Sequence, residues 1–278
     1  MIYSLFDILS RTYIKNAFIV GITMSLAGAL LGVSLVLKKH SMIGDGLSHV
    51  GFGTVALAAV IGIAPLAFAI PLVILSSFLI IWLSNRSKIF GDSAIALFST
   101  LALAIGYAAI EMGGGVNFNV SSYLYGSLLG VTFSEVILSI CVLTVVIIIY
   151  VLLYNRIFSI TFDEVFSKST GMKTNLINII LSILISLTIV IGMKVMGALL
   201  ITSLIIFPTL SARQIFKTFK GVTIFSAIMS IIAFIIGLLM ACIIENLPIG
   251  SSIVFVNFIF CIICIIVGRF RSSKKEGL

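Results

Sequence analysis

The chain has 278 residues, of which 61% are hydrophobic and only 9% charged, and it carries a formal net charge of +8. So little polar surface cannot cover a water-soluble globule of this size, which excludes the soluble fold classes. Basic nucleic-acid binders fall with them, because the positive charge collects at the ends of apolar segments, and no nucleic-acid partner is expected.

Residues 1–16 place Leu5, Phe6, Leu9, Tyr13 and Ile14 among Asp7, Arg11 and Lys15. This fits a short amphipathic segment lying in the membrane interface. No small-residue cleavage site closes a short apolar run, so a cleaved signal peptide is not expected. Apolar stretches follow at 17–37, 42–63, 66–83, 93–110, 136–154, 176–193, 195–210, 222–243 and 253–268. A spanning helix needs roughly 20 apolar residues, so the expectation is an all-α, polytopic integral membrane protein with eight or nine spans. The longest polar intervals hold about twenty residues each, too few for a soluble domain, and residues 1–278 are read as one membrane domain.

Lys38 and Lys39, Arg86 and Lys88, Arg156, the run from Arg213 through Lys217 to Lys220, and Arg269 to Lys275 follow alternate apolar stretches. By the positive-inside rule these ends face the cytoplasm, including a tail at 269–278. Nine crossings would put the amino terminus outside, against which Arg11 and Lys15 weigh. The four cysteines, Cys141, Cys242, Cys261 and Cys264, all lie in apolar runs. There they are expected to pack, not to pair or bind metal.

An ionisable group near mid-membrane costs about 2.5 to 3.5 kcal/mol on insertion scales, so each one present needs a reason. The clearest case opens the second stretch, Met42-Ile43-Gly44-Asp45-Gly46-Leu47-Ser48-His49-Val50-Gly51-Phe52-Gly53. Asp45 and His49 are four residues apart and share one helix face. Two readings fit. A carboxylate oxygen with an imidazole nitrogen suits zinc, manganese or ferrous iron, and a two-fold homodimer would supply two of each. Alternatively, Asp45 caps the helix and His49 bonds a neighbouring helix, with no metal involved.

The segment G-D-G-L-S-H-V-x-x-x-x-V-A-L at 44–57 resembles the signature of the zinc/manganese family of ABC importer permeases. Residues 119–129, N-V-S-S-Y-L-Y-G-S-L-L, resemble a second block of that family. A third block runs from V-M-G-A-L-L, starting at Val195, through Pro208 to Arg213. The three occur in the family's order. Asn119 replaces a frequent Asp, and Gly53-Thr54 replaces a common Pro-Gly. The resemblance implies a type II ABC importer-like permease of the bacterial plasma membrane, with Asp45 and His49 contacting the metal in transit. It also implies a second permease copy. His40, beside Lys38 and Lys39, is read as solvated or facing headgroups.

No G-x-x-x-x-G-K-[ST] loop occurs in the sequence, so the chain is expected to be no enzyme, with ATP bound and hydrolysed on separate cytoplasmic subunits. Within the cytoplasmic segment at 155–173, the residues T-F-D-E-V-F-S-K-S-T-G at 161–171 fit a short docking helix. Thr161 and Glu164 read as a capping box, Phe162, Val165 and Phe166 as one apolar face, and Gly171 as the stop. The family places its coupling helix at a comparable position; a helix resting in the headgroups is the competing reading. No outer connector can build a capture domain, so an extracytoplasmic metal-binding protein is the expected donor. Membrane lipid is the expected contact of the basic run at 213–220. No cofactor is expected to be bound permanently; zinc or manganese would be cargo.

The function expected is therefore ATP-energised import of a divalent transition metal. Its rivals are import of an iron chelate or corrin cofactor by a permease of similar architecture, a gradient-driven carrier, and a membrane-embedded enzyme. The last would need a catalytic centre that a chain with two histidines and no H-E-x-x-H does not offer.

Overall fold

The computed structural model describes residues 11–86, 91–113, 123, 126, 130–244 and 247–276, apart from the side chains of 84–86 and 271–276. Every described element is a helix. In chain order they are α1 Thr12–Leu37, α2 Ile43–Ile61, α3 Pro65–Arg86, α4 Gly91–Met112, α5 Phe133–Leu152, α6 Tyr154–Phe162, α7 Glu164–Ser169, α8 Thr174–Met196, α9 Ala198–Ile215, α10 Phe219–Ile243 and α11 Ile249–Glu276. Nine of these, α1 to α5 and α8 to α11, are long and apolar enough to cross a membrane. Of the two expected counts, the described residues give nine.

Local chemistry explains several boundaries. Thr132 starts α5 with a capping box: its hydroxyl accepts from the Glu135 N–H, and its own N–H donates to the Glu135 carboxylate at 2.9 Å. Thr218 caps α10 by accepting from the Gly221 N–H at 3.2 Å. Gly62 ends α2 in the left-handed conformation (φ 78°) with its N–H on the Ala58 carbonyl. Inside the helices, Thr54, Thr188, Thr223 and Asn257 bond carbonyls of the preceding turn, which satisfies polar groups where no water is available.

The chain divides into two compact units. The first comprises residues up to 36, 127–154 and 203–278. Its helices approach over small residues: a Cβ at Gly21 would collide with the Phe234 ring, and one at Gly32 with the Ile205 carbonyl. Buried hydroxyls join the same surfaces, Thr209 with Ser226 at 3.2 Å and Ser230 donating to the Ser25 carbonyl at 3.0 Å. The second unit comprises 37–126 and 155–202. At its centre α2 crosses α4 almost backbone to backbone. A Cβ at Gly53 would fall on the Ala102 carbonyl, and one at Gly106 would lie 2.8 Å from the Gly53 Cα. Phe52 and Tyr107 close the crossing with ring centroids 5.4 Å apart. In hydrocarbon, where lipid tails are as apolar as side chains, such close approach is what dispersion packing needs.

Three expectations require correction. Residues 12–16 belong to the first spanning helix, because Thr12 to Leu37 is one uninterrupted helix; the rest of the expected amphipathic segment lies outside the described residues. The break between the sixth and seventh spans falls at Gly197, not beside Lys194. Gly197 takes φ 89°, ψ 156°, a conformation open essentially to glycine alone, while Lys194 sits in the last turn of α8. The third correction concerns α7.

Candidate functional site

The lead into α2 is tight. Lys39 takes the left-handed conformation (φ 62°), the Ile43 N–H donates to the His40 carbonyl at 3.1 Å, and the Gly46 N–H donates to Met42 at 3.0 Å. Met42 is the N-cap and makes no side-chain capping bond. Asp45 therefore lies inside the first turn, where its carboxylate still meets the positive end of the helix dipole.

One turn on, His49 Nε2 stands 3.6 Å from Asp45 Oδ2, the histidine side chain 25% exposed and the aspartate 43%. That separation is too long for a hydrogen bond. It is close to the roughly 3.4 Å between two ligands of a tetrahedral ion with bonds of about 2.0 to 2.1 Å. The other ring nitrogen, Nδ1, is buried with no hydrogen-bond partner among the described residues. Met42, not Asp45, occupies the cap, and among the described residues no hydrogen bond joins His49 to a neighbouring helix. The described residues hold no group of three or more His, Cys, Asp or Glu able to enclose a metal. One chain thus brings together two candidate ligands, Asp45 and His49.

Glycines let the helix carrying Asp45 and His49 pack closely against its neighbours. A Cβ at Gly46 would strike Ile95 of α4, and one at Gly51 would sit 3.0 Å from the Met193 side chain of α8. The second family-like block lies mostly outside the described residues, Asn119 included. Its Gly126 (φ 84°) is described, and it abuts the Met196 carbonyl and the Gly197 nitrogen, so it meets the third block at the turn between α8 and α9.

His40 stays apart from the pair. Burial pushes its pKa down, Lys38 pushes it further, and Asp92 and Glu164 oppose both. Of the four cysteines, Cys261 and Cys264 are buried, Cys242 is half-buried and Cys141 is exposed.

The segment expected to be cytoplasmic forms two helices, α6 and α7. Asp163, not Thr161, is the N-cap of α7, accepting from the Phe166 N–H at 2.8 Å. The Thr161 hydroxyl instead donates to the Ile157 carbonyl within α6. The expected capping box is absent because Glu164 is the first residue of α7, not the third, and its carboxylate meets Lys38 Nζ at 3.4 Å and Asn178 at 2.7 Å. Phe162 ends α6, its ring 5.1 Å from Phe158, so it precedes the short helix it was expected to share. Phe162, Val165 and Phe166 are all strongly exposed, Val165 the most at 80%. Gly171 (φ 82°) follows the helix end as a left-handed stop.

The sequence model of the ABC 3 transport family matches residues 10–268. The high-affinity zinc uptake system membrane protein ZnuB of Haemophilus influenzae is 27% identical over 88% of this chain and 94% of its own length. The manganese import system permease protein ScaB of Streptococcus parasanguinis is 26% identical over 96% of this chain and 94% of its own. Among solved structures, PsaBC from Streptococcus pneumoniae in complex with Fab superposes with a TM-score of 0.83 at 26% identity, covering 95% of both chains.

Proposed function

The chain belongs to the ABC 3 transport family, and from that premise we propose that it is the membrane-spanning permease of an importer for a divalent transition metal, zinc before manganese. The observation that carries the reading is the Asp45/His49 pair. A part-exposed carboxylate beside an imidazole whose Nδ1 is unsatisfied among the described residues sits at the head of an otherwise apolar span, in a chain whose near-full-length relatives serve zinc and manganese systems. Zinc comes before manganese because a site of oxygen and nitrogen donors binds zinc more tightly than manganese along the divalent series.

A second copy of the chain, related by a two-fold axis, would complete the site with two carboxylates and two imidazoles. Four ligands hold zinc without a resident cofactor, and the cation leaves when the two copies separate its ligands. Ionised Asp45 and neutral His49 are the competent forms. An extracytoplasmic binding protein delivers the cation, and cytoplasmic ATPase subunits energise its passage by alternating access. The exposed apolar trio Phe162, Val165 and Phe166, stopped by Gly171, gives those ATPase subunits something to grip.

The testing experiment reconstitutes the chain with its ATPase and binding protein in vesicles and compares uptake of zinc, manganese and iron with and without ATP. ATP-dependent uptake of zinc is expected. An assembled, ATP-hydrolysing complex that moves no metal would transfer the function to chelate import and return Asp45 and His49 to packing.

A further inference from the structure

α7 is six residues long, Ser167 is its buried residue, and its apolar side chains face outward. The hydrogen bonds of Asp163, Ser167, Ser169 and Thr170 stay within the segment. Among the described residues, the α7 side chain that hydrogen-bonds to other elements is Glu164. Its Oε1 accepts from Asn178 Nδ2 at 2.7 Å, and its Oε2 lies 3.4 Å from Lys38 Nζ. Lys38 in turn donates to Asn178 Oδ1 at 3.0 Å, which closes a three-membered ring. The single orientation of the Asn178 amide satisfies both partners, with its oxygen toward the ammonium and its nitrogen toward the carboxylate.

The three residues come from places far apart in the chain. Glu164 is the first residue of α7, Asn178 lies in the second turn of α8, and Lys38 belongs to the connector between α1 and α2. Lys38 is the most enclosed of the charged pair, its side chain only 18% exposed. From Lys38 the chain passes through the left-handed turn at Lys39 and the His40–Ile43 bond straight into the helix that carries Asp45. A displacement of α7 therefore has a short, hydrogen-bonded route to α2.

We propose that Lys38, Glu164 and Asn178 are positioning residues that transmit movement of α7 to α2, and so set when the Asp45/His49 pair is held or released. The inference rests on the reading of α7 as the ATPase-docking helix. A lone exposed ion pair would transmit little, since it bends and exchanges with water. A ring in which each member contacts the other two, one of them a largely buried ammonium, fixes orientation as well as distance.

The test reads the connector directly and needs no cargo. In the assembled complex with its ATPase, in a background lacking the four native cysteines, Ser41→Cys reports the connector through its alkylation rate in nucleotide-free and ATP-plus-vanadate states. The intact ring should give a nucleotide-dependent change of about fivefold or more. Lys38→Met or Glu164→Leu should abolish it while the ATPase stays bound. Vesicle uptake then gives the functional counterpart, with zinc or manganese moved per ATP falling about tenfold in Lys38→Met at near-normal hydrolysis.

A full nucleotide-dependent change in both Lys38→Met and Glu164→Leu would overturn the inference, as would none in the unaltered ring. Failure of the docking reading shows separately, as an ATPase that still binds when Val165 and Phe166 are both replaced by Asp. Failure of the metal reading shows as absent uptake with the alkylation response intact.

Discussion

Substituting Gly53 by Ala tests whether the α2/α4 crossing is as close as the structure makes it. The new Cβ would fall on the Ala102 carbonyl of the facing helix, and backbone cannot rotate out of the way as a side chain can. Overpacking of this kind costs about 1 to 3 kcal/mol. Because the clash is with backbone, the cost belongs in the upper part of that range, about 2 to 3 kcal/mol; alanine's better helix propensity returns at most about 1 kcal/mol, leaving a net loss of about 1 to 2 kcal/mol. At about 2 to 4 °C per kcal/mol for a chain of this order of size, the unfolding midpoint should drop by about 2 to 8 °C. Gly28→Ala in α1 is the internal control. Its Cβ would meet Ile205 at 3.5 Å, an ordinary contact, so its midpoint should hold or rise slightly. Thermal unfolding of both variants in one detergent, followed by helical circular dichroism, makes the comparison. A Gly53→Ala protein that melts at or above Gly28→Ala would refute the packing argument.

Val165→Asp with Phe166→Asp should leave the unfolding midpoint of the isolated chain nearly unchanged, since both side chains face outward, but should release the ATPase in a pull-down. His40 gives a prediction in pH. Its folded pKa is lowered, chiefly by burial, so the unfolded chain binds the extra proton first. Its contribution to stability is complete above about pH 6.5, the unfolded value, and is lost as pH falls through the lower folded value. His40→Gln should therefore flatten the decline in unfolding midpoint on the acid side relative to the unaltered chain, measured side by side from roughly pH 8 to pH 5.

The spans were legible because about twenty consecutive apolar residues leave a strong signal. The Asp45/His49 pair was legible because charge inside such a run is expensive. Boundaries set by a single residue were less so. Lys194 marked a plausible end, yet it fits within the last turn of α8, and the chain bends at Gly197, where backbone freedom decides. The Thr161/Glu164 capping box had the right spacing, but a pattern of four residues contains no trace of Lys38, 126 positions away, which claims the carboxylate. The Lys38, Glu164 and Asn178 ring was invisible for the same reason: each residue reads alone as an ordinary polar group at a helix end. The glycines near Asp45 suggested close approach without naming a partner, and the structure supplies Ile95, Met193 and Ala102.

The central claim is that a transition-metal ion passes Asp45 and His49 under the drive of ATP. Its most direct test is ATP-dependent uptake of radioactive zinc by vesicles holding the chain, its ATPase and its binding protein, compared among the unaltered protein, Asp45→Ala and His49→Ala. Each substitution should reduce uptake at least about tenfold, a loss of about 1.4 kcal/mol or more in the transit step, while assembly and ATP hydrolysis persist. Undiminished zinc uptake by both variants would contradict the account.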